Sequence, residues 1–176
     1  GNRGQKFEQV IFRNMGKHEI DDQMKGIEFL RGLNYVDMDR IGVHGWSYGG
    51  FMTASLMCRQ PETFKVGVSG APVIDWKYYE IMYGERYMDT PEENPKGYEK
   101  ANVLTYIDDL KGKLLLVQGT SDVTVVWQHT LKFIEQANHK GVQVDYYVYP
   151  GHKHAVRGID RGHLDKKMAQ YFIDNL

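Results

Sequence analysis

A single cysteine, Cys58, stands among the 176 residues, so no disulfide can form within the chain. That lone thiol does not separate a reducing compartment from an oxidising one. Long apolar runs are missing too: none approaches the ~20 residues that a membrane-crossing helix needs. Charge of either sign is barely in excess, since 22 Lys and Arg face 23 Asp and Glu for a formal net charge of −1. Such a balance provides no field to hold nucleic acid or an anionic membrane surface, and neither is expected as a partner. Internal repeats, low-complexity tracts and linker-like stretches are absent. The first residues, Gly1-Asn2-Arg3-Gly4-Gln5-Lys6-Phe7, lack the basic region and apolar stretch of a secretory signal. They read as glycine-rich loop with no strand before it, so the chain is expected to start inside a longer protein.

What is present fits one soluble globular domain with a sizeable core. His18 to Arg31 reads as a helix with Ile20, Met24, Ile27 and Leu30 on one face, acids in its first turn and Gly32 at its end. Arg40–His44 reads as a short buried strand, followed by Gly45 and a helix through Arg59. Further strands are expected at Phe64–Ser69, Lys113–Val117 and Val144–Tyr149. Helical spacing runs from Trp76 to Arg86, from Trp127 to Lys140 (Leu131, Ile134 and Ala137 in register, Gly141 as stop) and from Asp160 to Asn175, where Leu164, Met168 and Phe172 are buried. Strands alternating with helices predict parallel βαβ units with right-handed crossovers, buried on both faces. The fold class is α/β: a mostly parallel sheet of about four strands flanked by helices.

Gly45-Trp46-Ser47-Tyr48-Gly49 matches G-x-S-x-G, with Gly50 behind it. The chemistry needs a serine on a sharp strand-to-helix turn, so that Oγ projects from the sheet edge. Flanking glycines let the helix close on the strand, and the Tyr48 N–H is aimed where an oxyanion would form. The plain alternative is a loop with chance glycines; the strand before and helix after argue against it.

An elbow serine needs a base and a group to orient that base. In this fold class the chain order is serine, acid, histidine. Asp122 follows the strand Lys113–Val117, and His152 and His154 follow Val144–Tyr149. Loops after parallel strands open on one edge of the sheet, where such folds bind ligands. Asp108 and Asp109 precede their strand and lie at its opposite end; Asp75 would serve only in a variant topology. Spacing alone leaves the base open between His152 and His154. An H-x-H pair also suggests a metal, but no carboxylate or cysteine cluster accompanies it. The chemistry read here uses no metal and no cofactor. His163 reads as a solvated or packing residue, and His18, His44, His129 and His139 have unremarkable surroundings.

The run Gly45-Trp46-Ser47-Tyr48-Gly49-Gly50 resembles the elbow of the dipeptidyl peptidase IV branch of the prolyl oligopeptidase family. Ala71-Pro72-Val73, Trp76, Tyr79, Tyr83 and Glu85-Arg86-Tyr87-Met88 resemble that branch's next segment. Asp122 within Gly119-Thr120-Ser121-Asp122, and Tyr149-Pro150…His152-x-His154, complete the likeness and place it close to the bacterial prolyl tripeptidyl peptidases. The resemblance covers nearly the whole chain and puts the base at His154. It implies a serine exopeptidase acting on peptides with a free N-terminus, cut after proline near that end. It also implies a proline pocket from Tyr48, Val73, Trp76, Tyr79, Tyr83 and Val125. A compact, rigid, apolar ring suits an aromatic box. From spacing alone, Trp76, Tyr79 and Tyr83 would be ordinary core on one helix face.

The resemblance further implies a propeller whose acids hold the substrate amine, earlier hydrolase strands, and a second oxyanion donor from an upstream loop. Residues 1–176 are then part of a hydrolase domain, weakly active or inactive alone, with an elbow strand whose open edge invites self-association. Periplasm or secretion is implied in preference to cytoplasm. Two other readings compete: an esterase-type acyl hydrolase, and a non-catalytic binding protein that keeps the fold.

Overall fold

The computed structural model describes residues 3–176. Gly1 and Asn2 of the glycine-rich start lie outside them. The remainder of that start is not all loop, because Gln5–Glu8 forms one helical turn, α1. Helix α2, His18–Arg31, has the bounds its periodicity predicts and buries Ile20 and Ile27. Met24 and Leu30 pack beside them, half-buried.

Four strands form one parallel sheet in the order β1-β2-β3-β4: Gly42–Trp46, Val66–Gly70, Lys113–Gly119 and Asp145–Tyr149. Helix α3 (Tyr48–Arg59) connects β1 to β2. Helices α4 (Ile81–Met88) and α5 (Pro95–Ala101), with a 3₁₀ stretch Val103–Asp109, lead to β3. Helix α6 (Gln128–Lys140) precedes β4, and α7 (Ile159–Asn175) closes the chain. This is the four-stranded α/β architecture that the alternating pattern predicts.

Burial separates the middle of the sheet from its edges. β2 is buried throughout and β3 everywhere but Lys113, whereas β1 and β4 are only partly covered. Burial on both faces therefore holds for the central pair alone; four strands leave two edges. Alternation sorts the side chains of β3 between two layers. Leu114 and Leu116 join Phe51 of α3 and Phe133 of α6 in the larger cluster. Leu115 and Val117 join Val68, Tyr149 and Leu164 of α7 in the smaller one.

Local departures have local causes. β1 begins and ends two residues later than Arg40–His44, because pairing with β2 persists to Trp46 opposite Gly70. Trp76 to Arg86 is not one helix. Asp75 caps a 3₁₀ turn, Trp76–Tyr78, by accepting the Lys77 N–H at 3.0 Å, and the chain is extended at Tyr79 and Glu80 before α4 starts. In α6, Leu131 is 42% exposed while Thr130 and Phe133 turn inward, so the buried stripe is rotated from the one read off the sequence. Gly141 ends that helix at φ 69, as predicted. In α7 only Leu164 is fully buried; Met168 and Phe172 pack half-buried on the smaller cluster. Among the described residues no helix is long and apolar enough to cross a membrane.

Candidate active site

β1 runs into α3 with Ser47 at the joint, at φ 62 and ψ −118. A non-glycine residue in this region costs of order 1–3 kcal/mol and persists only where its surroundings enforce it. Here the Ser47 N–H donates to the Gly70 carbonyl at 2.8 Å, and the Ser47 carbonyl accepts the Phe51 N–H at 2.9 Å. A Cβ on Gly45 would sit 2.2 Å from the Gly49 carbonyl oxygen, and one on Gly50 would sit 2.3 Å from that of Gly70. A Cβ on Gly49 would meet open space. The steric demand thus falls on Gly45 and Gly50, so of the two glycines flanking the serine only Gly45 is needed for the close approach. Tyr48 opens α3, so its N–H has no partner within the helix and lies at the positive end of the dipole.

Asp122 sits in the loop after β3 with a fully buried side chain. Its Oδ1 accepts the N–H groups of Thr124 at 2.9 Å and Val125 at 3.0 Å. Its Oδ2 lies 3.1 Å from Gln118 Nε2, which donates, and 2.8 Å from His154 Nδ1. Burial pushes the carboxyl pKa up, but the His154 hydrogen bond and the two N–H donors outweigh it and hold the value below the ordinary one. Gln118 is anchored in turn, its Oε1 accepting the Thr130 hydroxyl at 2.9 Å. Gln118 lies just past the strand Lys113–Val117 expected from the sequence, where nothing local marks it as a partner of Asp122.

The two loop histidines separate. His154 faces Asp122, whereas His152 Nε2 lies 2.7 Å from Asp160 on α7. Asp75 is occupied by the Lys77 N–H and the Asn102 amide, and Asp108 pairs with Lys140, so neither competes for the histidine. The acid and histidine loops are joined directly, the Ser121 N–H donating to the His152 carbonyl at 2.9 Å. The elbow is joined to them as well: the Trp46 indole N–H donates to the His154 carbonyl at 2.7 Å. Among the described residues no hydrogen bond links Ser47 Oγ to the imidazole. The structure pairs acid with histidine and ties the histidine loop to Trp46, the residue before Ser47.

The aromatic residues pack against one another despite the broken helix, with Trp76 2% exposed. The Trp76 ring centre lies 5.6 Å from Tyr48, 5.3 Å from Tyr79 and 5.8 Å from Tyr83, the last nearly parallel. Val73 and Val125 are buried in the same cluster. Two neighbours escaped the sequence reading. The Glu19 carboxylate accepts the Tyr48 hydroxyl, and also the Gly16 N–H at 3.0 Å. Burial and then this carboxylate drive the Tyr48 phenol far above tyrosine's ordinary pKa, so it stays a donor. No local signal ties α2 to the elbow, 29 residues apart. His129, read as unremarkable, is 2% exposed and its Nδ1 accepts the Ile74 N–H at 3.1 Å.

A parallel sheet whose first strand turns through a strained serine into a helix, with a buried Asp bonded to a half-buried His on the following loops, defines an α/β-hydrolase-type domain. The sequence profile of the prolyl oligopeptidase family matches residues 1–176, and the chain belongs to that family of peptidases. It is 35% identical over 179 residues to dipeptidyl peptidase 8 of Homo sapiens, covering 99% of this chain and 20% of that protein. It is 37% identical over 161 residues to dipeptidyl aminopeptidase B of Saccharomyces cerevisiae, covering 89% and 20%. Among solved structures, one from Bacteroides ovatus, assigned provisionally as a dipeptidyl aminopeptidase IV, superposes with a TM-score of 0.98 at 56% identity, over 100% of this chain and 25% of that one. Porphyromonas gingivalis dipeptidyl peptidase 4 follows with a TM-score of 0.95 at 38% identity, over 99% and 25%. The chain thus spans about a fifth of these curated relatives and a quarter of these solved chains.

Proposed function

We propose that this chain carries the catalytic residues of a serine exopeptidase that cuts after proline near a free N-terminus, releasing di- or tripeptides. The observation that carries the proposal is the contact at 2.8 Å between buried Asp122 and half-buried His154, whose loop is bonded to the residue before the strained Ser47. In the reading, Ser47 Oγ attacks the scissile carbonyl and passes its proton to His154 Nε2. Asp122, on Nδ1, fixes the tautomer that leaves Nε2 free to accept. The Tyr48 N–H donates to the developing oxyanion. His154 then protonates the leaving amine, and the acyl group stays on Ser47. Water repeats the sequence, giving its proton to His154 and releasing the peptide acid. Acid that protonates the base should therefore stop turnover.

The cluster around Trp76 supports proline as the residue bound. Tyr48, Tyr79 and Tyr83 supply flat walls and Val73 and Val125 apolar filling, which favours a compact ring. An esterase acting on long acyl chains would want an extended apolar groove instead. Comparing p-nitrophenyl acetate with proline-linked chromogenic peptides decides between the two.

In the whole protein, regions beyond this chain are proposed to hold the substrate amine and a second oxyanion donor. Missing one such donor costs about 10²–10³ in rate, so residues 1–176 alone should be weakly active or inactive. An extracytoplasmic location rests on the resemblance and is checked by cell fractionation. The deciding experiment is labelling of the full-length protein with a fluorophosphonate. Labelling at Ser47, abolished by Ser47→Ala, is expected; folded full-length protein that does not label would revive the reading of a binding protein that keeps the fold.

A further inference from the structure

The segment Val73–Trp76 contributes two walls of the proposed pocket, yet it belongs to no strand or continuous helix. Its backbone is nevertheless clamped. The Ile74 carbonyl accepts the Val103 N–H at 3.0 Å, and the Ile74 N–H donates to His129 Nδ1 at 3.1 Å. The Asp75 carboxylate takes the Lys77 N–H and the Asn102 amide. Of these partners, His129 alone stands on α6, the helix that starts just after the Asp122 loop.

We infer that His129 is a positioning residue of the pocket: its neutral imidazole accepts the Ile74 N–H and fixes Val73 and Trp76 relative to the loop bearing Asp122. The inference rests on the peptidase reading of the same site. The adjacent residue does the matching task on the other side, because Thr130 holds Gln118, which donates to Asp122. One turn of α6 thus sets both the binding wall and the acid.

The chemistry requires an acceptor that is neutral and buried. An aspartate here would place a second carboxylate near Asp122. With Nδ1 accepting, the ring proton sits on Nε2, a buried nitrogen. A protonated ring would turn Nδ1 into a donor facing another donor, the Ile74 N–H. Burial opposes this and lowers the pKa to about 4, against the opposite pull of the Tyr78 backbone and the Asp122 carboxylate. The ring therefore remains an acceptor at every pH where a serine peptidase works.

The test uses the full-length protein. His129→Leu removes the acceptor and leaves the Ile74 N–H buried and unpaired; His129→Asn returns an oxygen near the Nδ1 position. For a proline-linked p-nitroanilide, His129→Leu should raise KM about tenfold with kcat changed less than about threefold, and His129→Asn should recover most of the loss. Thr130→Val should do the reverse, lowering kcat with little effect on KM. Equal KM in wild type and His129→Leu, or loss of kcat alone, overturns the inference. Hydrogen exchange of wild-type peptides covering residues 72–79 decides the matter if the leucine variant does not fold. Protection of Ile74 comparable to β3 is expected, and exchange at the rate of an open loop overturns the inference. Fluorophosphonate labelling of the wild type, which needs no proline pocket, separates this failure from failure of the peptidase reading itself.

Discussion

At the scale of single residues, the site depends on groups held away from their usual preferences. Ser47 adopts a left-handed backbone, Asp122 is a fully buried carboxylate, and Tyr48 is a phenol bound to Glu19. Asp122→Asn should leave the fold intact but favour the wrong imidazole tautomer, cutting kcat by about 10⁴ in steady-state assays of the full-length enzyme. Gly45→Ala asks a methyl group to share space with the Gly49 backbone. It should lower stability by at least about 3 kcal/mol in denaturant titrations, with loss of fluorophosphonate labelling. The sequence singled out Ser47 and Asp122 as candidates because each is placed by local grammar: glycines around a turn, and a loop after an apolar strand. It could not choose between His152 and His154 by spacing, since two residues in one loop share the same grammar. The choice is made in space, where Asp160 on α7 takes His152. Glu19 and His129 were invisible for the same reason, as their partners come from other elements.

At the scale of elements, α6 acts through its buried polar positions as much as its apolar ones. His129 makes stability depend on pH. The unfolded ring titrates near 6.5 and the folded ring near 4, so between those values only the unfolded chain takes up the proton. The contribution is complete above about 6.5 and is lost as pH falls through about 4, amounting to roughly 3 kcal/mol. Asp122 adds a loss at still lower pH, since its carboxyl lies below the ordinary value in the fold. Thermal melts of wild type should decline steadily over that interval, and those of His129→Leu should be flatter. A parallel decline in both would show that another group governs. The helix itself was legible from its periodicity and its closing Gly141. Its orientation was less so, because inward Thr130 and His129 look like surface residues until Gln118 and Ile74 are seen to need them.

At the scale of the whole molecule, the order β1-β2-β3-β4 leaves β1 at an edge, half-covered and directly before Ser47. Unpaired strand edges recruit other chains. The 176-residue chain is predicted to self-associate, with sedimentation giving a mass that rises with concentration; a monomer across the range would contradict it. Parallel pairing followed from alternating strands and helices, whereas the uneven burial of the sheet's edges did not. Apolar runs look alike whether one face is covered or two.

The bond from the Trp46 indole to the His154 carbonyl has a mechanical meaning. It rivets the end of the first strand to the loop after the fourth, across the two strands between them. If the sheet twists or breathes, the turn bearing Ser47 and the loop bearing His154 travel together, and their spacing survives motions that would otherwise pull them apart.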